Sequence, residues 1–338
     1  MLRLAPVLRP RWTWRYALGV TAATYLIYCF LFASPLFSSK LPHYTGPHAV
    51  GAIDIEAPVE ARRAHEARFK HDNEPAFQVE TVLFTLYYPA TKGIVSTKPQ
   101  HLWVPRPLGI VGAGYARFAH ISNTVTDSIF TFALWVLVGR TTIPAQVDVP
   151  LHGSLASEVQ TPGNTAHALS TSSDSLPVMV FSHGFASSRT QYTRYLGELA
   201  SRGFVVAALE HRDGSAPGSI VMRQNAEHEH RLMFALRHLR HDSGLDGASF
   251  KQAQLDFRQI EIEETVRVLR HIDEGRGDQI FAGNLRGEGQ DLKGWRGRLA
   301  INNATIGGHS FGATLALQTL KDGPSTALPF GGAVVLDP

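Results

Sequence analysis

The stretch ATIGGHSFGATLALQTL, residues 304–320, decides the fold. Its first residues predict a short strand, and residues 311–320 carry apolar side chains at helical spacing. Between them, Gly308 and Gly312 flank Ser310 two positions away on each side. A strand that turns straight into a helix at Gly-x-Ser-x-Gly is typical of a nucleophile elbow, where side chains at the glycine positions would clash. The five residues alone are a weak signal, but this context predicts that Ser310 is a catalytic nucleophile and not part of a plain glycine turn.

The rest of the chain alternates between strands and helices. Unbroken apolar runs are typical of parallel strands buried on both faces. The sequence therefore predicts an α/β fold with a mostly parallel sheet and helices on both faces. The predicted strands are residues 81–89, 177–184, 204–210 and 332–337, and the predicted helices are residues 190–203 and 254–272.

Further parts of a hydrolytic site follow from this fold class. In α/β-hydrolases the acid follows the serine along the chain, and Asp337 ends a predicted strand at the sheet edge that carries sites, although it could be an ordinary strand-end aspartate. An oxyanion hole needs two backbone N–H donors. We predict that Phe311, directly after the serine, and Phe185, in the turn FSHGF at 181–185, provide them. No histidine follows the serine, and His309 beside it should point away.

Composition excludes several classes of protein. The chain has 338 residues and a net charge of +3, with no basic stripe among aromatic residues, so we expect no nucleic-acid partner. Its single cysteine, Cys29, permits no intrachain disulfide. A histidine cluster could suggest a metal site, but its spacing fits a polar face better, and we expect no metal or cofactor. The cluster consists of His228, His230, His238 and His241.

The N-terminal region predicts a membrane anchor. Residues 1–15 form a basic tail without acids, and residues 16–37 are uncharged and long enough for a transmembrane signal-anchor helix. A cleaved signal peptide, giving a secreted protein, and a buried helix are the alternatives. The basic flank would stay cytoplasmic and place the rest on the lumenal or extracellular side. We predict a linker at 38–75, with a short helix near 59–69, and an α/β-hydrolase domain at 76–338.

A second apolar run, DSIFTFALWVLVG at residues 127–139, is too short to span a membrane. It is either a buried core helix or an interfacial helix that touches lipid, and the sequence alone leaves both open.

Together these segments resemble the platelet-activating factor acetylhydrolases of the plasma and intracellular type II kind, a lipase-like branch of the α/β-hydrolases. The most specific segment is VMVFSHGFASSRTQYTRYLGELASRGFVVAALEHRDGSA, residues 178–216. The others are TLYYPA (85–90), TIPAQVDVPL (142–151), IGGHSFGATLALQTL (306–320) and AVVLDP (333–338).

The resemblance implies Ser310 as nucleophile, Asp337 as triad acid, and the N–H groups of Phe185 and Phe311 as the oxyanion hole. It implies calcium-independent hydrolysis of short or oxidised sn-2 acyl chains of phospholipids, and lipid contact near 127–139. Another α/β-hydrolase carboxylesterase, dienelactone-hydrolase-like or acting on polyesters, is the alternative.

The chain departs from the family at its C-terminal end. The family's catalytic histidine lies beyond the acid, whereas this sequence stops one residue after Asp337. We therefore expect an incomplete hydrolase domain that lacks the last strands and helix, and an inactive membrane-anchored fragment is a further alternative.

Overall fold

The computed structural model describes residues 13–31, 40–153, 175–224 and 227–338. The helices in chain order are α1 (Trp14–Leu31), α2 (Leu108–Phe118), α3 (Thr124–Val138), α4 (Thr193–Ala200), α5 (Gly247–His271), α6 (Gly277–Gly283) and α7 (Phe311–Leu320). The strands are β1 (Ala49–Arg68), β2 (Pro75–Ala90), β3 (Gln146–Val147), β4 (Leu176–Ser182), β5 (Val205–Glu210), β6 (Gly218–Val221), β7 (Glu229–Leu232), β8 (Leu299–His309) and β9 (Phe330–Leu336).

One mixed sheet organises these elements in the order β3-β1-β2-β5-β4-β8-β9. The strands β5, β4, β8 and β9 are parallel to one another, whereas β2 is antiparallel to β5 and β1 is antiparallel to β2. The carboxyl ends of the four parallel strands therefore meet at one edge of the sheet. The turns that follow β4, β5 and β8 lie at that edge, where open α/β sheets place their sites.

The core lies on both faces of the sheet, as the unbroken apolar strands predict. In β4, Val180 belongs to the cluster that contains Ile262 of α5, whereas its neighbour Met179 belongs to the cluster that contains Leu196 of α4. Successive side chains of a strand point to opposite faces, so the two helices cover opposite faces. Both must be present to keep a strand such as β4 out of water.

Residues 49–68 differ from the expectation of a linker with a short helix. They form β1, which pairs with β2 from Ala49 opposite Ala90 to Arg68 opposite Pro75, with irregularities after Pro58. Alanine, arginine and glutamate are good helix formers, but helix propensity is a weak preference that tertiary context overrides. Here the long neighbouring strand offers backbone partners along almost the whole segment.

The predicted N-terminal transmembrane helix is wrong. Residues 14–31 form α1, whose 18 residues extend about 27 Å at 1.5 Å per residue, and its threonines and tyrosines lower its apolar character. Within the described ranges, no helix has both the length and the hydropathy that a membrane span requires. The predicted single-pass location, with the domain on the lumenal or extracellular side, depended on that helix and is therefore wrong as well. Residues 32–37 of the predicted span and most of the basic tail lie outside the described residues.

Candidate active site

Ser310 stands at a strained turn between β8 and α7. Its φ of 51° and ψ of −118° lie in a region that a residue with a side chain rarely occupies. The Ser310 amide donates to the carbonyl of Leu336 at 3.0 Å, and its own carbonyl accepts from the amides of Ala313 and Thr314. The neighbouring strand and the first turn of the helix thus hold the strained backbone in place, which is the geometry of a nucleophile elbow.

The two glycines of the motif are required by close backbone contacts. A Cβ on Gly308 would lie 2.1 Å from the carbonyl oxygen of Gly312, and a Cβ on Gly312 would lie 2.1 Å from the carbonyl oxygen of Ser182. The second contact joins the elbow to the end of β4, so the glycine also sets how closely the elbow approaches the neighbouring turn.

Two backbone N–H groups at this edge have no acceptor in the described part of the chain. One belongs to Phe311, the first residue of α7, and the other to Phe185, in the turn after β4. Their rings approach each other edge to face, with centroids 6.4 Å apart. The structure therefore brings together the two predicted donors. The positive end of the α7 dipole lies at the same place and favours negative charge there.

His183 orients one of these donors, a role that the sequence reasoning missed. Its Nδ1 donates to the Gly184 carbonyl at 2.8 Å, and its Nε2 accepts from the His211 amide at 3.1 Å. Burial and the nearby Arg258 lower the pKa of His183 to about 3, which keeps the ring neutral. The Gly184 carbonyl and the Phe185 N–H belong to one trans peptide and point in opposite directions. Because the His183 ring holds the Gly184 carbonyl, the Phe185 N–H points away from that ring.

His309 beside the nucleophile is engaged elsewhere. Its Nδ1 accepts from the hydroxyl of Tyr192 at 2.8 Å, and the same hydroxyl accepts from the Gly184 amide at 3.2 Å. No described side chain hydrogen-bonds to the Ser310 hydroxyl.

Asp337 follows β9 at the edge that carries the elbow. Its predecessor Leu336 is paired with His309 and accepts the hydrogen bond from the Ser310 amide. The Asp337 backbone has a φ of 44°, and its side chain is exposed. The register of β8 and β9 thus places Asp337 next to the elbow. Its role as triad acid stays a prediction.

A second serine, below the site, has the hydrogen-bond pattern of a triad. Ser182 Oγ lies 2.7 Å from His211 Nε2, and His211 Nδ1 lies 2.6 Å from Glu261 Oε2. All three side chains are almost completely buried, and burial holds the pKa of His211 well below its usual value. An ester cannot reach this serine, so the chain of hydrogen bonds acts in holding the end of β4 to β5 and α5.

The segment EHRD, residues 210–213, forms buried ion pairs, as its charges suggest. Glu210 pairs with Arg189 at 3.0 Å, Arg212 with Glu56 at 2.6 Å, and Asp213 with Arg258 at 2.8 Å. The partners lie far away along the chain, and no local pattern in the sequence identifies them.

Residues 127–138 of the second apolar run lie in α3, which has no buried residue, and Gly139 is the C-cap of this helix. A buried core helix is therefore excluded. Asn123 caps the helix by accepting from the amides of Val125 and Thr126. An apolar surface remains open to solvent, and it is formed by Val125, Ile129, Phe132, Trp135 and Leu137, with Phe118 at the end of α2. The Phe118 ring lies 6.0 Å from the Phe185 ring, so this surface, called here the α2–α3 surface, borders the turn that carries Phe185, one of the two predicted oxyanion donors.

Several known proteins resemble this chain in sequence or structure. The chain is 26% identical to the platelet-activating factor acetylhydrolase of Cavia porcellus over 305 residues, which cover 89% of this chain and 56% of that protein. It is 29% identical to a putative phospholipase A2 of Schizosaccharomyces pombe over 292 residues, 82% of this chain and 58% of that protein. The chain thus spans about half the length of the curated relatives that it matches. A solved ferulic acid esterase from Streptomyces cinnamoneus aligns at 18% identity with a TM-score of 0.43, over 84% of this chain and 58% of that structure.

Residues 151–338, more than half of the chain, match the family model described as platelet-activating factor acetylhydrolase, isoform II. This segment contains Ser310 and the two predicted oxyanion donors, Phe185 and Phe311. The chain belongs to the platelet-activating factor acetylhydrolase isoform II family.

Proposed function

We propose that the chain carries the nucleophile and oxyanion hole of a serine esterase that cleaves short or oxidised sn-2 acyl chains from phospholipids. The observation that carries the proposal is the strained Ser310 elbow together with the N–H groups of Phe185 and Phe311, which have no acceptor among the described residues. Such donors stabilise the negative charge of a tetrahedral intermediate, which is usually the largest catalytic contribution.

The reaction proceeds through an acyl-enzyme. Ser310 Oγ attacks the sn-2 carbonyl carbon, its proton passes to a base, and the carbonyl oxygen becomes an oxyanion held by the two N–H groups. The base returns the proton to the departing glycerol oxygen, which releases the lysophospholipid. Water, activated by the same base, then releases the acyl group as a carboxylate. In the family the base is a histidine that the acid orients, and Asp337 is the proposed acid.

The α2–α3 surface favours a phospholipid over a small soluble ester. Exposed apolar side chains close to a proposed oxyanion donor suit a substrate presented by a membrane or micelle. We propose that α3 lies in the lipid interface when the enzyme binds its substrate.

Because no histidine follows Ser310 in this chain, the test supplies the base as imidazole. Acetate release from an sn-2-acetyl ether phospholipid is measured with and without imidazole, together with covalent labelling by a fluorophosphonate. We expect Ser310 to be labelled, and acetate release to disappear in Ser310→Ala. Release that survives this substitution, or the absence of both release and labelling from the folded parent, contradicts the proposal. Faster turnover of a simple acetyl ester than of the phospholipid would instead favour a general carboxylesterase.

A further inference from the structure

Arg258 of α5 contacts both segments that carry the proposed oxyanion donors. Its side chain is completely buried, and its guanidinium lies 4.6 Å from the centroid of the Phe311 ring. Its Nη1 donates to the carbonyl of His183 at 2.8 Å and lies 3.3 Å from Ser182 Oγ. One side chain therefore contacts the residue that provides one donor and the turn that provides the other.

Two further bonds fix the orientation of this guanidinium. Its Nε donates to Asp213 Oδ2 at 2.8 Å, and its Nη2 donates to Ser215 Oγ at 2.5 Å. Asp213 in turn accepts from the amide and hydroxyl of Ser215 through its other oxygen. The buried charge is thus paired and its donors are directed to defined acceptors, which is the condition under which a buried ion pair is tolerated.

We propose that Arg258 is a positioning residue that sets the distance and direction between the Phe185 and Phe311 N–H groups. This inference rests on the proposed function of that pair. Arg258 holds the His183 carbonyl, and the His183 ring holds the Gly184 carbonyl, so the two peptides before Phe185 are fixed in sequence. The planar face of the same guanidinium supports the Phe311 ring.

An arginine is needed for this task. Its planar fork donates in several directions at once and stacks on an aromatic ring, whereas a lysine ammonium is a point charge on a flexible stem. Arg258→Lys therefore keeps the charge opposite Asp213 but cannot hold the His183 carbonyl and the Phe311 ring together.

The test compares Arg258→Lys with Arg212→Lys. Arg212 is also buried and paired, with Glu56, but its side chain contacts neither donor segment. A misplacement of about 1 Å in a catalytic group costs roughly 100-fold in rate. With imidazole as base and a soluble acetyl ester, we expect Arg258→Lys to lower kcat about 100-fold with KM within about twofold, and Arg212→Lys to lower kcat less than about threefold.

A double-mutant cycle with Phe311→Leu separates positioning from general destabilisation. If the guanidinium acts through the Phe311 ring, the two substitutions are strongly non-additive in kcat. Equal rates in Arg258→Lys and the parent, or additive effects in the cycle, overturn the inference while Ser310→Ala still reports on the proposed function.

A readout that needs no turnover is the pair of Phe185 and Phe311 amide resonances in ¹⁵N-phenylalanine-labelled protein. We expect both to shift in Arg258→Lys and to stay in place in Arg212→Lys. If both resonances keep their positions in a folded Arg258→Lys protein, the positioning role is refuted even for a parent without measurable turnover.

Discussion

Replacing Gly312 by alanine should damage both stability and the proposed oxyanion hole. The new Cβ would lie 2.1 Å from the Ser182 carbonyl oxygen, 2.7 Å from the Ser182 carbonyl carbon and 2.8 Å from the His183 carbonyl oxygen. All three are backbone atoms, so no flexible side chain can move away. Relieving the shortest contact requires that α7 and the end of β4 separate by roughly 1 Å, an overpacking that costs about 1–3 kcal/mol or more.

The same separation should reduce catalysis. Gly312 lies next to Phe311, and Ser182 begins the turn that carries Phe185, so moving them apart widens the distance between the two donors. We expect Gly312→Ala to lower the free energy of unfolding in urea by about 3 kcal/mol. Ser310-dependent acetate release should fall about 100-fold.

Gly247→Ala is the matched control. Gly247 is the first residue of α5, and apart from its chain neighbours and the backbone of its own helix no atom lies within 4 Å of its hypothetical Cβ. Alanine there should leave stability unchanged or raise it by up to about 1 kcal/mol, because alanine is the better helix former. The predicted steric clash is refuted if the free energy of unfolding of Gly312→Ala lies within about 0.5 kcal/mol of the parent value and its rate of acetate release is unchanged, because only surface positions usually tolerate a substitution so well.

Three further predictions concern the surroundings of the site. His183 has a pKa of about 3 in the native state and stays neutral there, but in the unfolded chain it takes up a proton near pH 6.5. As the pH drops from about 6.5 towards 3, this group therefore lowers the free energy of unfolding by up to about 1.4 kcal/mol per pH unit. His183→Asn should remove that part of the slope in urea titrations between pH 4 and 6, and an unchanged slope would count against a neutral buried ring. Trp135→Ser on the α2–α3 surface should weaken sedimentation with phosphatidylcholine vesicles about 10-fold and leave soluble-ester hydrolysis unchanged; equal vesicle binding would remove α3 from the interface. Arg189→Met leaves Asp54 and Glu210 without their buried cation and should cost about 3–5 kcal/mol, so a loss below about 1 kcal/mol in urea unfolding would contradict the pairing.

Local patterns predicted the parts of the fold that depend on neighbouring residues. The strand, turn and helix around Ser310 were predictable because two glycines, a serine and a short apolar run are all within one stretch of chain. The buried strands β4 and β5 were predictable because they lack any alternation of polar residues, which only a strand covered on both faces tolerates.

Two segments show where local patterns fail. The alanine-rich and charged segment 59–69 suggested a helix, but pairing with β2 made it part of β1. The apolar composition of residues 127–139 fits a buried helix and an exposed helix equally well. In the structure α3 packs against α2, and its remaining apolar side chains are exposed. In both cases the deciding contact comes from another part of the chain.

Local sequence is enough to predict the strand, turn and helix at Ser310, the need for glycine at 308 and 312, and the residues that could donate to an oxyanion. These depend on steric and hydrogen-bonding rules that operate within a few residues. Long-range packing brings the Phe185 ring against the Phe311 ring and joins the His211 amide to the His183 ring. It also brings Arg258 against the Phe311 ring and the His183 carbonyl. Those relations join segments far apart in the chain, and they exist only because the parallel strands bring their carboxyl ends to one edge of the sheet.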